Sequence, residues 1–137
     1  MNNKQNRTPY VYAEIMTLDC VAGQVKYSFE DNANLRNKKI IGIEALTVSD
    51  VSKTPADRTG ISATVFLKSF LTLSSNGEEK ISKAPLACFR PMSNYGSIKS
   101  LDLDDVNWAK SYVEIANATD NSASESFVFV VYYQDVR

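Results

Sequence analysis

There is no histidine anywhere in the 137 residues, and that absence excludes more chemistry than any other feature of the chain. The one side chain that ordinarily changes charge near neutral pH is missing. With it go the commonest zinc ligand and every Ser-His or Cys-His nucleophile pair. Glycine is scarce, five in all, and neither G-x-x-x-x-G-K-[ST] nor G-x-G-x-x-G occurs, so a loop built to cradle nucleotide phosphates is not expected. The only cysteines, Cys20 and Cys88, belong to no Cys-x-x-Cys or Cys/His grouping, which argues against zinc and thiol redox work. Two free buried thiols are the expectation, with a disulfide as the alternative, since β-sandwiches bring distant segments together. The longest apolar run, "FVFVVYY" from Phe127 to Tyr133, is too short to span a bilayer. The amino terminus, "MNNKQNRTPY", has no apolar segment behind Lys4 and Arg7, so a soluble protein made without an export signal is expected. An excess of charge is also lacking: 15 basic side chains face 16 acidic ones. Such a balance supplies no field to gather nucleic acid or anionic lipid, and direct contact with nucleic acid or membrane is not expected.

What the chain does contain is a succession of short apolar runs broken by turn residues, with a length and apolar content suited to one domain. Residues 1–9 are polar and without periodicity, the composition of a flexible N-terminal arm; residues 10–137 read as one folded unit. "YVYAEIMT" sets Val11, Ala13 and Ile15 on one face, and "QVKYSF" does the same for Val25, Tyr27 and Phe29, the period of half-buried strands. "KKIIGIEALTV" is apolar on both faces and reads as a central strand, with Gly42 marking a bulge. "SDVSKTPADRTG" reads as a long loop, and "ISATVFLKSFLTL" as the longest strand. In "LTLSSNGEEKI", Asn76-Gly77 can supply the positive φ values of a primed turn, which makes a hairpin with a hydrophilic tip. "LACF" is short and buried in character, "RPMSNYGSIKS" is irregular, and "LDLDDVNW" contains a turn that Asp104 or Asp105 can cap. "KSYVEIAN" alternates Ser111, Val113 and Ile115 with Tyr112 and Glu114. "SFVFVVYYQD" belongs in the middle of a sheet, and the polar "NATDNSASES" before it is an exposed loop. About eight strands and no amphipathic helix of three turns predict an all-β, single-domain sandwich of Greek-key or jelly-roll type.

Candidate chemistry is sparse. Asp102, Asp104 and Asp105 lie close together with Asn107. They offer hard oxygen ligands that suit calcium, although the EF-hand spacing and its glycine are missing. As a pair of acid and base carboxylates they are better explained by a solvated loop. No catalytic residue, no cofactor and no enzymatic activity is expected. Seven tyrosines and Trp108 are candidates for stacking on sugar rings, with Tyr95 among them, while Tyr132 and Tyr133 point to opposite faces of one strand, so that at least one is core. Basic residues group at Arg36, Lys38 and Lys39. These three, with Lys4 and Arg7 of the arm and Glu78 and Glu79 of the hairpin tip, are the candidate contacts to neighbouring subunits.

The order "LRNKKIIGIEAL", Asn-Gly hairpin, "WAKSYVEI" and "FVFVVYY" resembles small β-sandwich virion proteins of tailed bacteriophages, above all the auxiliary capsid proteins of crAss-like phages. The resemblance covers most of the chain after Tyr10 and consists of composition, length and strand order. It implies a non-enzymatic decoration subunit, present in many copies in the virion, that binds the major capsid protein and other virion subunits and reinforces the shell or supports a head fibre. A β-sandwich module that binds a carbohydrate or a receptor is the alternative.

Overall fold

The computed structural model describes residues 10–54, 64–90, 99–117 and 126–135. Within them are eight strands: β1 (Tyr12–Asp19), β2 (Lys26–Ser28), β3 (Lys38–Thr47), β4 (Ser69–Ser75), β5 (Glu78–Pro85), β6 (Lys99–Asp104), β7 (Tyr112–Ile115) and β8 (Ser126–Asp135). β4 pairs with β5, β3 with β6, β2 with β7 and β1 with β8, all antiparallel. These four nested pairs describe one long hairpin whose tip is the β4–β5 turn. Curling that hairpin over brings β8 beside β3 and β7 beside β4. The resulting sheets, β1-β8-β3-β6 and β2-β7-β4-β5, have the strand order of a jelly roll, as the sequence predicts.

The tip forms for a local reason. Ser75 opposes Glu78, and the two residues between them, Asn76 (φ 54°) and Gly77 (φ 78°), are both left-handed, which is what a type I′ turn demands. A Cβ added at Gly77 would meet nothing within 4 Å, so Gly77→Ala tests backbone strain alone. It should cost about 1–2 kcal/mol in urea denaturation without changing the spectrum of the folded protein.

The core lies between the sheets. Ile43, Ala45, Phe127, Phe129 and Val131 meet Leu71, Leu73, Val113 and Ile115 from the other side. A chain of near-perpendicular rings runs through it: Trp108 on Phe29 (5.4 Å), Phe29 on Phe129 (5.1 Å), Phe129 on Phe127 (6.5 Å) and Phe127 on Phe66 (5.9 Å). Edge-to-face geometry of this kind sets the positive rim of one ring against the negative face of the next. Buried hydroxyls are absorbed locally: Ser111 Oγ donates to the Asn107 carbonyl at 2.8 Å and accepts from the Ser74 amide at 3.0 Å.

Several expectations are corrected. The stretch read as the longest strand turns instead into a single helical turn, α2 (Thr64–Leu67), before β4 starts at Ser69. A short apolar run has no decisive period, and here Phe66 is buried from a helix. The expected loop after β3 begins with another helical turn, α1 (Val48–Val51). The turn after β6 is capped by Asn107, whose side chain accepts from the Lys110 amide, rather than by Asp104 or Asp105. In β1 the buried row is Met16 and Leu18, while Ile15 is 64% exposed and Val11 55%. In β3 the register shifts between Ile40 and Gly42, as the glycine implied. That bulge puts Ile40 and Ile43 both in the core. The thiols are free, as expected, but Cys20 is half-buried and Cys88 exposed. The expected irregular 91–98 and loop 118–125 lie outside the described residues.

Candidate functional site

Pairing decides where the candidate residues go. Lys38 opposes Asp135, Lys39 opposes Asp104, and Tyr12 opposes Tyr133, so β1 and β3 begin where β6 and β8 end. A bridge from Ser75 to Val106, with the Asn107 amide donating to the Ser74 carbonyl at 2.8 Å, ties the base of the β4–β5 hairpin to the same place. Arg36, Lys38, Lys39, Asp102, Asp104, Asp105, Glu78 and Glu79 therefore converge on one end of the sandwich, although they span much of the sequence. Lys4 and Arg7 lie outside the described residues.

At this end, acids and bases are interleaved. Arg36 pairs with Asp31, Lys38 with Asp135, and Lys39 with Asp102 at 3.2 Å. The hydrogen bond and charge of Arg36 hold the Asp31 carboxyl below its usual range and raise the guanidinium in return. The expected basic patch is thus matched internally by carboxylates, and what it presents outward is a mosaic of both signs. Asp105 is a turn clamp: its carboxylate accepts from the Asn37 amide at 3.0 Å, and its own amide donates to the Lys38 carbonyl at 3.0 Å. Both Asn37 (φ 56°) and Asp105 (φ 48°) are left-handed, a conformation that Asn and Asp tolerate best among residues with a Cβ. Among the described residues no three acidic or cysteine side chains are gathered so as to hold a metal, and the carboxylates considered for calcium point to separate partners. At the hairpin tip, Glu78 pairs with Lys80 at 2.8 Å, which lowers the Glu78 carboxyl through the hydrogen bond and the charge. Glu79 accepts from the Tyr112 hydroxyl at 3.4 Å.

Beside the ion pairs lies a shallow recess of about 340 Å³ lined by Tyr12, Asn34, Arg36, Lys38, Tyr133 and Asp135. The Tyr12 and Tyr133 rings stack at 5.5 Å, and Tyr10 approaches Tyr12 at 6.3 Å. Tyr132 and Tyr133 are both half-buried; Tyr133 leans on the core, whereas Tyr132 reaches Glu44 on the outer face. Trp108, a candidate sugar platform by sequence, is only 2% exposed and belongs to the core. Tyr95 lies outside the described residues.

The opposite end holds a pair that sequence reasoning missed. Arg90 grips Asp50 with two hydrogen bonds, Nε at 2.8 Å and Nη2 at 2.6 Å, and both residues are buried. Asp50 also accepts from the Thr47 amide at 3.1 Å while the Thr47 hydroxyl accepts from the Asp50 amide at 3.2 Å. The signal was available as Thr47-x-x-Asp50, a capping-box pattern at the start of α1. This pair is a structural clamp.

No protein-family model, curated protein or solved structure matches the chain. No helix among the described residues is long and apolar enough to cross a membrane.

Proposed function

We propose that this chain is a non-enzymatic structural subunit of a tailed-phage particle, an auxiliary or decoration capsid protein that binds the shell and reinforces it or supports a head fibre. Its partners are then the major capsid protein and other virion subunits, and its place is the virion, reached after synthesis in the host cytoplasm. The observation that carries the reading is the convergence of sequence-distant charged groups on one end of a jelly roll. A mosaic of paired charges over a broad surface suits docking on a protein lattice, where complementarity sets orientation and no single side chain is indispensable. Jelly-roll sandwiches recur in viral capsid and lectin domains, though fold alone does not assign function. A chain without histidine also lacks the usual equipment of hydrolases and transferases.

The test is incorporation into particles. Deleting residues 2–8, or reversing Glu78 and Glu79 to Lys together, should lower the copy number in purified particles by about tenfold, as loss of one arm of a multivalent attachment does. The isolated domain should keep its Tm, because the tip carboxylates are exposed. Unchanged incorporation by both variants would refute the proposal.

A second reading, a carbohydrate- or receptor-binding module, is favoured by the recess, where the stacked Tyr12 and Tyr133 rings adjoin Asn34, Arg36 and Asp135. An aromatic face with hydrogen-bonding groups at its rim is the arrangement that holds a pyranose. Glycan binding that Tyr12→Ala abolishes would put this reading first.

A further inference from the structure

The four sheet edges are treated unequally. β5 carries Glu78, Glu79, Lys80 and Lys83, ends in Pro85, and its register breaks twice against β4. β6 carries Lys99, Asp102 and Asp104 opposite the β3 bulge. β2 is three residues long, with exposed Lys26 and Ser28 flanking its buried Tyr27. Short length, charge, proline and bulges are the devices by which proteins keep edges from pairing with other strands. β1 uses none of them. It runs in unbroken register from Tyr12 opposite Tyr133 to Asp19 opposite Ser126. It contains no lysine, arginine or proline, and Glu14 is tied to the Asn34 amide group at 2.6 Å. Its outer row is apolar and wet: Ile15 is 64% exposed and opposes the half-buried Val130, with the exposed Tyr10 and Val11 just before the strand.

We propose that β1 is an interface for a second copy of this chain, the two β1 strands pairing antiparallel about a two-fold axis to join their β1-β8-β3-β6 sheets into one. The strand is self-complementary in charge. No acidic residue precedes Glu14 and the chain before β1 carries Lys4 and Arg7, whereas β1 ends in Asp19. Beyond that end a groove of about 440 Å³ is lined by Asp19, Glu30 and Asp31 among others. Antiparallel pairing sets the basic approach of each copy against the acidic end of the other, twice over. The same charges select the register. An axis through Glu14 would oppose two carboxylates directly, which is destabilising. An axis through Ile15 opposes Ile15 to its mate, Ala13 to Thr17 and Glu14 to Met16, burying the most exposed apolar residue of the strand. A two-fold contact of this kind closes on itself and gives a dimer rather than a fibre. The inference stands apart from the assignment to a phage shell.

Sedimentation of the purified chain across a dilution series should show a monomer–dimer equilibrium. Ile15→Lys sets two ammonium groups face to face on the axis and should weaken the dimer by about a hundredfold or more. Because Ile15 is solvent-exposed in the single chain, its circular dichroism should not change. In a Cys20→Ser, Cys88→Ser background, Ile15→Cys should form a disulfide-linked dimer on mild oxidation, since directly opposed residues have Cα atoms within disulfide reach. Thr17→Cys, whose mate lies several rungs away, should not. A wild-type chain that is monomeric throughout, as it would be if the edge received a strand from a different protein, overturns the proposal. So does a dimer indifferent to Ile15→Lys, or a Thr17 cross-link as efficient as that at Ile15.

Discussion

Replacing Phe129 with alanine should cost about 3–5 kcal/mol of folding free energy, the range found when a buried aromatic ring is removed and its space does not collapse. Phe129 is fully buried at the middle of β8. It is edge-on to both Phe29 and Phe127, so that one deletion breaks the ring chain on both sides. β8 is also the strand on which β1 and β3 are both hydrogen-bonded, which leaves its backbone little freedom to fill the void. In urea denaturation the midpoint should fall with an unchanged slope, and the Tm should drop by about 10 °C or more. A loss below about 1 kcal/mol would place Phe129 outside the cooperative core.

Asp50→Ala should be of similar size, about 3–5 kcal/mol, because it strands the buried Arg90 guanidinium without its counter-charge. The double variant Asp50→Ala, Arg90→Met removes both charges and should recover a large part of the loss, which a simple sum of two deletions would not do. The pair also gives folding a pH dependence of defined sign. Burial on its own raises the Asp50 pKa, but the hydrogen bonds from Arg90 and Thr47 and the Arg90 charge outweigh it, and the net direction is downward. The unfolded chain therefore takes up a proton at Asp50 more readily than the folded one. Its stabilisation is complete above the ordinary aspartate pKa of about 3.9 and fades as the pH falls through the lower folded value. Acid denaturation of wild type and Asp50→Ala should accordingly converge at low pH; parallel curves there would show that the carboxylate is not the group responsible.

The sequence by itself determined what depends on neighbours along the chain. Strict alternation placed Val113 and Ile115 inside and Tyr112 and Glu114 partly out, and the β-branched and aromatic density of β8 put it mid-sheet. Asn76-Gly77 specified the turn at the tip, because few residues accept positive φ at two successive positions. The glycine in β3 foretold the bulge. Absence of histidine was equally legible, since composition needs no fold.

Only the tertiary structure decided which face of β1 turns inward. Both rows of that strand are apolar, Val11, Ala13 and Ile15 on one side, Met16 and Leu18 on the other, so period alone is degenerate and packing against the second sheet breaks the tie. The same holds for "TVFL", where an apolar run too short to express a period became a helical turn carrying Phe66 into the core. Charge was the least legible property. Whether Lys39 faces solvent or Asp102, and whether Arg90 meets Asp50 forty positions away, depends on strand register and chain reversal. Coulomb energy is set by distance in space, and sequence separation does not report it. The convergence of arm entry, β3 entry, aspartate cluster and hairpin tip on one end is likewise a product of the jelly-roll topology, which curls a long hairpin until segments remote in the chain share one surface.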